Sequence, residues 1–244
     1  MSSARRWVSA GLALSGAISA AVLSSPASAA VFNGTAQGLS HGFHSSSGNW
    51  SGYAATGRSF TSVSASWTQP AVSCGSQTTY SSFWVGLDGD GSNSVEQTGT
   101  EADCSGGRAV YSSWYEMYPA YPVDFSNPVS PGDHFTASVT YNGGNKFTLV
   151  LSDTTKGWSH TVHSTLRNPA LASAEVIAEA PSSGSGVLPL SDFGTVGFSG
   201  SKADGASLSS FSPDKITMAG GSTIKAVPGT ISSSGAFSVT WKHS

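Results

Sequence analysis

Few residues in this chain could carry out hydrolytic chemistry, because only 14 of its 244 residues are Asp or Glu. The usual nucleophile, metal and phosphate signatures are also missing. No His-Glu-x-x-His, Cys-x-x-Cys or Gly-x-Ser-x-Gly occurs, nor a Gly-x-x-x-x-Gly-Lys-Ser/Thr loop. His160 and His163 form a His-x-x-His. Residues three apart on a strand face opposite sides, so these two cannot easily share one metal. Asp88-Gly89-Asp90-Gly91 lacks the later ligands and closing Glu of a calcium loop and reads as a turn. Nothing in the sequence calls for a metal or another cofactor.

The carboxylates say more. Glu179 ends the run Ala174-Glu175-Val176-Ile177-Ala178-Glu179-Ala180-Pro181. As a strand, this run puts Glu175, Ile177 and Glu179 on one face, with Val176 and Ala178 on the other. A carboxylate there could serve as general base and then general acid. The same pattern also suits two solvated strand residues. Gln97, in Ser94-Val95-Glu96-Gln97-Thr98-Gly99, reads by pattern alone as a polar strand end. Glu116 and Glu179 together could form the two-carboxylate site of a jelly-roll glycoside hydrolase. Trp and Tyr on a β face also suit a non-catalytic carbohydrate-binding module.

The elements that must position these residues are strands. Period-two alternation appears at Val63/Ala65/Trp67, Phe135/Ala137/Val139/Tyr141, Phe147/Leu149/Leu151 and Phe237/Val239/Trp241. Tyr141-Asn142-Gly143-Gly144-Asn145-Lys146 between two of these runs reads as a hairpin turn, since Asn-Gly and Gly-Gly accept positive φ. No amphipathic helix of useful length follows the N-terminal segment. Pro189-Leu190-Ser191-Asp192-Phe193 reads as a turn, and Pro181 to Gly186 as a surface loop. Many short strands without βαβ alternation predict an all-β chain, an antiparallel sandwich or jelly roll.

Arg5 and Arg6, an apolar run from Trp7 to Leu23 and Ala27-Ser28-Ala29 have the layout of a secretory signal peptide over 1–29. Residues 30–48 read as a leader or short propeptide and 49–244 as one folded domain. Cys74 and Cys104 are the only two cysteines. In an oxidising, extracellular setting a disulfide is the default over a metal pair or a reactive thiol. Closing that loop would stabilise the fold by about 3–4 kcal/mol. Without Arg5 and Arg6, nine of the 11 basic residues remain against 14 acidic ones, so there is no basic face for nucleic acid. Beyond the signal segment no apolar run reaches the ~20 residues of a membrane span. The expected product is a secreted monomer with sparse charge, which limits self-repulsion in acid.

Five blocks in order carry a family resemblance: Asn49-Trp50-Ser51-Gly52-Tyr53, Phe83-Trp84-Val85-Gly86-Leu87-Asp88-Gly89, Gln97-Thr98-Gly99, Trp114-Tyr115-Glu116-Met117-Tyr118-Pro119, and Ala174-Glu175-Val176-Ile177-Ala178-Glu179. They resemble those of the glutamic peptidases, also called eqolisins. The resemblance implies a concanavalin-like sandwich of two curved antiparallel sheets whose concave face takes protein or peptide substrates. It also implies Gln97 and Glu179 as the catalytic pair. Trp50, Trp84, Asp88, Glu116 and Tyr118 match positions that shape the cleft or support that pair. Of the tryptophans, Trp50 and Trp84 are expected in the cleft and Trp114 in the core. Met117 and Val176 stand where the family often has aromatic residues, which bears on subsite preference.

Peptide hydrolysis requires an activated water, a donor for the developing oxyanion and a proton for the leaving nitrogen. Glu179 would supply the first and third in turn. The Gln97 amide offers an acceptor for the water and an N–H for the oxyanion. An amide does not titrate, so one carboxyl with a reference value of about 4.3 would govern the base. An acid-acting endopeptidase is the expectation.

Overall fold

The computed structural model describes residues 44–244, and over these the chain is almost entirely strand. The signal segment and all but the last few leader residues therefore lie outside the described residues. In chain order the strands are β1 (His44–Ser47), β2 (Trp50–Ala55), β3 (Ser62–Thr68), β4 (Ser82–Leu87), β5 (Val95–Ser105) and β6 (Arg108–Tyr118). They continue as β7 (Val123–Phe125), β8 (His134–Tyr141), β9 (Lys146–Asp153), β10 (Trp158–Thr165), β11 (Ala174–Glu179) and β12 (Ser182–Ser183). The last are β13 (Gly186–Val187), β14 (Thr195–Ala203), β15 (Ala206–Ser207), β16 (Asp214–Gly220), β17 (Thr223–Pro228) and β18 (Phe237–Trp241). A 3₁₀ turn at Leu208–Phe211 is the one helical element described, and no described helix is long and apolar enough to cross a membrane.

The strands form one hydrogen-bonded path, β10-β9-β8-β3-β14-β18-β17-β16-β2-β11-β4-β5-β6-β7. It folds over itself into two layers, passing from one to the other through the β16–β17 hairpin, where the register shifts between Met218 and Ala219. β8 lies over β4 and β5, and β3 lies over β4 and β11. The sandwich is therefore a single continuous sheet, antiparallel throughout except where β1 runs parallel to β16. The ends of the path meet: Phe125 beside β10 stacks on His160 with ring centroids 4.2 Å apart, and His160 Nε2 lies 2.7 Å from Asn127 Oδ1. His163 faces the other way, toward Thr148.

Each alternating run anticipated from sequence lies in a strand, and its apolar members fill the space between the layers. Val63, Ala65, Trp67, Phe135, Val139, Leu149 and Leu151 from one layer meet Phe83, Val85, Leu87, Val176 and Ala178 from the other. Trp67 Nε1 donates to Thr100 Oγ1 (3.0 Å) across this interface. The β8–β9 turn has positive φ at Gly143, Gly144 and Asn145, the requirement that made it legible. Pro181–Gly186 differs from a plain loop, since β12 and β13 pair there as a small separate hairpin. Cys74 and Cys104 are joined, with Cα atoms 5.4 Å apart.

One property of the second layer is not visible in period-two patterning. Strands β2, β4 and β11 are buried on both faces. The face turned away from the main core carries its own apolar cluster of Trp50, Ala54, Trp84, Val95, Trp114, Ile177 and Ile216, with Tyr118 against it. The polar residues that interrupt these strands are therefore buried, and each needs a partner or a reason to lack one.

Candidate active site

Strand registers arrange this second face as a grid. Glu175, Gly86, Gln97 and Glu116 form one cross-strand row on β11, β4, β5 and β6. Ile177, Trp84, Gly99 and Trp114 form the next, extended by Asp124 on β7. Trp50, Glu179, Ser82, Glu101 and Ser112 form the third. Residues directly opposite one another on adjacent strands share a face, so all of these side chains belong to one surface. Trp84 is at its centre, with Gln97 and Glu179 at opposite diagonal corners.

The centre is built by absence of side chains. A Cβ on Gly99 would lie 2.3 Å from the Phe83 carbonyl oxygen and 2.6 Å from Trp84 Cβ. A Cβ on Gly86 would lie 2.8 Å from Trp84 Cζ3 and 3.3 Å from Gln97 Cβ. These two glycines let the indole lie flat across the strands. Its benzo edge reaches the Gln97 side, while its Nε1 donates to Glu179 Oε2 at 2.8 Å. Trp50 meets the same ring edge-on, with centroids 5.0 Å apart.

Glu179 is 2% exposed. Besides Trp84, the Asn49 amide donates from Nδ2 to Oε1 at 3.0 Å. Ser47 Oγ donates to Asn49 Oδ1 (3.0 Å), which fixes the amide so that its nitrogen faces the carboxyl. Burial raises the Glu179 pKa well above the ordinary value, and repulsion from Glu116 adds to the rise. Hydrogen bonds from Trp84, Asn49 and Trp50 pull it back down. The expectation of a carboxyl near its reference value is thus corrected upward, because a residue with strand-end sequence context lies under an apolar cluster.

Gln97 is 0% exposed, and its Nε2 donates to Glu116 Oε2 at 2.6 Å. Its Oε1 is buried without a hydrogen-bond partner among the described residues. An amide clamped by its nitrogen and left open at its oxygen is poised to accept from a third molecule. Glu116 is thus tied to Gln97 and acts electrostatically on Glu179. A Gln97 remote from both glutamates would favour the two-glutamate glycosidase reading, but its amide is bonded to Glu116.

Of the other residues anticipated from sequence, Trp50 and Trp84 are fully buried in this face, and Trp114 joins them there rather than in the main core. Tyr118 packs at the edge of the same cluster and is partly exposed. Asp88 does other work. Its carboxylate accepts from the backbone N–H of Leu171 (2.9 Å) and Ala172 (2.7 Å), pinning the approach to β11 against the end of β4. Positive φ at Asp88, Gly89 and Gly91 agrees with the turn read there. Among the described residues no group of three or more His, Cys, Asp and Glu could hold a metal.

Sequence reasoning missed Asn49 as a partner of Glu179, although it opens the first of the five blocks. Asn49-Trp50-Ser51 has the form of a glycosylation acceptor, but the amide nitrogen is buried in its bond to Glu179. Glu101 was also missed; only its register opposite Ser82 reveals that it shares this face.

The family model described as the Peptidase A4 family matches residues 48–241. Aspergillopepsin-2 of Aspergillus niger is 30% identical over an alignment of 181 residues, and the match covers 64% of this chain and 64% of that protein. The match thus spans less than two thirds of that relative's length. A crystal structure of Scytalido-glutamic peptidase with a peptide based transition state analog is similar with a TM-score of 0.69 and 25% identity, covering 80% of this chain and 98% of that one. Aspergilloglutamic peptidase from Aspergillus niger gives a TM-score of 0.60 and 26% identity, over 67% of this chain and 99% of that one.

Proposed function

Because this chain belongs to the Peptidase A4 family, we propose that it is a secreted endopeptidase that cleaves protein or peptide substrates with a water held between Glu179 and Gln97. Glu179 acts first as general base, taking a proton from the water, and then as general acid toward the leaving nitrogen. Gln97 accepts from the water through Oε1. After attack, its amide rotates or shares its N–H to stabilise the tetrahedral oxyanion, a role worth about 2.7–4 kcal/mol where such donors have been removed. Glu116 holds the Gln97 amide in register, and Trp84 and Asn49 hold the Glu179 carboxylate. Trp50 and Tyr118 contribute the apolar wall.

The observation that carries this reading is the unpartnered, buried Oε1 of Gln97 on the same sheet face as Glu179, around one shared indole. A water-excluding apolar surround strengthens each polar interaction with the developing charge. The raised pKa of Glu179 also suits a group that must both take and return a proton. Secretion is supported by the signal-like segment over 1–29 and by the Cys74–Cys104 disulfide. In this reading the leader is shorter than 30–48, because His44–Ser47 pair with β16 inside the catalytic domain, which works as a monomer.

The test is digestion of acid-denatured casein by the purified mature protein from about pH 3 to about pH 8. Cleavage at internal bonds, with a maximum on the acid side of 7, is expected. No cleavage at any pH, or a profile peaking above about 7, would remove the assignment.

A further inference from the structure

Glu179 is not the only carboxyl in its row. Two strands away, across Ser82, is Glu101, with Ser112 on its far side. Two strand spacings place the Glu101 and Glu179 backbones roughly 10 Å apart, within reach of one bound side chain. Ser112 Oγ donates to Glu101 Oε2 at 3.0 Å, and Glu101 Oε1 has no hydrogen-bond partner among the described residues. Glu101 and Ser112 are half-buried, unlike the sealed residues beside them, so this corner opens to solvent. Asp103, two residues along the same face of β5, and exposed Asp124 on β7 complete a patch of one sign.

An independent observation points to a ligand here. Ser82 Oγ, between Glu179 and Glu101 in the row, is buried and has no hydrogen-bond partner among the described residues. Buried hydroxyls are normally satisfied, so this one is open to a partner from a bound molecule. No described basic residue forms an ion pair with Glu101, Asp103 or Asp124; the described ion pairs are Arg58–Asp204 and Lys156–Asp133. The nearest cation along the strands, Arg108, is opposite Ser105 at the hairpin end. Three carboxyls crowded on one face without a cation are an incomplete set.

We propose that Glu101, with Asp103, Asp124 and the Ser82 hydroxyl, forms a subsite that selects a basic side chain, Lys or Arg, in the peptide segment flanking the scissile bond. The inference rests on the peptidase reading above and supplies its substrate preference. A lysine ammonium placed over Ser82 donates to Ser82 Oγ and to Glu101 Oε1, leaving the Ser112 bond intact. Burial and the charges of Asp103, Asp124 and Glu179 keep Glu101 protonated well above its usual range. Cation binding therefore displaces a proton, and selection for Lys strengthens as pH rises from about 3 to about 6.

Quenched peptides differing only in Lys, Leu or Glu next to the cleaved bond provide the test, with wild type and Glu101→Gln assayed at both pH values. Wild type is expected to favour Lys over Leu by at least about tenfold near pH 6, a ratio of about 1.4 kcal/mol. The ratio should shrink near pH 3. Glu101→Gln should lower the ratio toward one, with the larger loss of rate falling on the Lys peptide. An unchanged Lys/Leu ratio in Glu101→Gln overturns the subsite, as does an equal loss on all three peptides by a variant with an unaltered melt. Binding of the labelled Lys peptide to Glu179→Gln, with and without Glu101→Gln, separates the two readings. If wild type cleaves nothing but the Lys peptide still binds about tenfold more weakly without Glu101, the subsite stands and the peptidase reading falls. Equal binding of the Lys, Leu and Glu peptides to both proteins overturns the subsite.

Discussion

The indole N–H of Trp84 meets Glu179 Oε2 at 2.8 Å, although the two residues are 95 positions apart in the chain. The other edge of the ring lies beside Gly86 and Gln97. One rigid side chain thus sets the spacing between the amide and the acid, and its donor opposes the effect of burial on the acid. The geometry survives only while Gly86 and Gly99 lack side chains.

Trp84→Phe keeps an aromatic ring at the centre of the face and removes this donor. A hydrogen bond to a charged group contributes about 1.5–3 kcal/mol, so kcat/KM at acid pH should fall about 10- to 100-fold. Loss of a bond that favours the charged form moves the Glu179 pKa further up. The ascending limb of the pH–rate profile should therefore shift to higher pH by on the order of one unit, as read from kcat/KM against pH. An unshifted limb would separate the indole from the base.

Glu116→Gln moves the same limb the other way. The replacement can still accept from Gln97 Nε2, but it removes the charge that raises Glu179. The ascending limb should shift to lower pH. Glu116→Ala, which also frees the Gln97 amide, should lower kcat by about tenfold or more. A shift in the same direction as Trp84→Phe would contradict the electrostatic link between Glu116 and Glu179.

Glu179→Gln and Gln97→Ala should each reduce kcat by at least about 100-fold while leaving the disulfide and the thermal melt in place. Both residues are buried, so Gln97→Ser or Gln97→Glu serves as a second variant if the alanine protein melts early. Near-normal casein digestion by either folded variant takes that residue out of the mechanism.

Stability should decline as pH rises. Burial raises Asp90 to about 6, Asp103 to about 7 and Glu96 to about 8, from 3.8, 3.8 and 4.5. A carboxyl with a raised folded-state pKa favours the fold when protonated. Its contribution is complete below the ordinary carboxylate range and is lost as pH climbs through the raised values, here from about 4 to about 8. At about 2–4 °C per kcal/mol for a domain of this size, Tm should drop by about 10 °C between pH 4 and pH 8. Glu96→Gln should recover part of that loss at pH 8 and change little at pH 4. A Tm independent of pH over this range would contradict the buried, protonated state of these acids.

What the sequence determined by itself is local. Period-two alternation assigned Val176 and Ala178 to one face of β11 and Glu175, Ile177 and Glu179 to the other, because adjacent side chains on a strand must point opposite ways. Asn-Gly-Gly-Asn marked the β8–β9 turn because few residues accept positive φ. The five ordered blocks pointed to Gln97 and Glu179. The tertiary structure decided what depends on which strands become neighbours. It paired β11 with both β2 and β4, so that Asn49, 130 positions away, reaches Glu179, and Glu101 enters the same row across Ser82. It also covered the second face with tryptophan, turning carboxyls that alternation alone would leave in water into buried groups with raised pKa values. Register between distant strands and burial of a whole face arise from the packed sheet and leave no period in the chain.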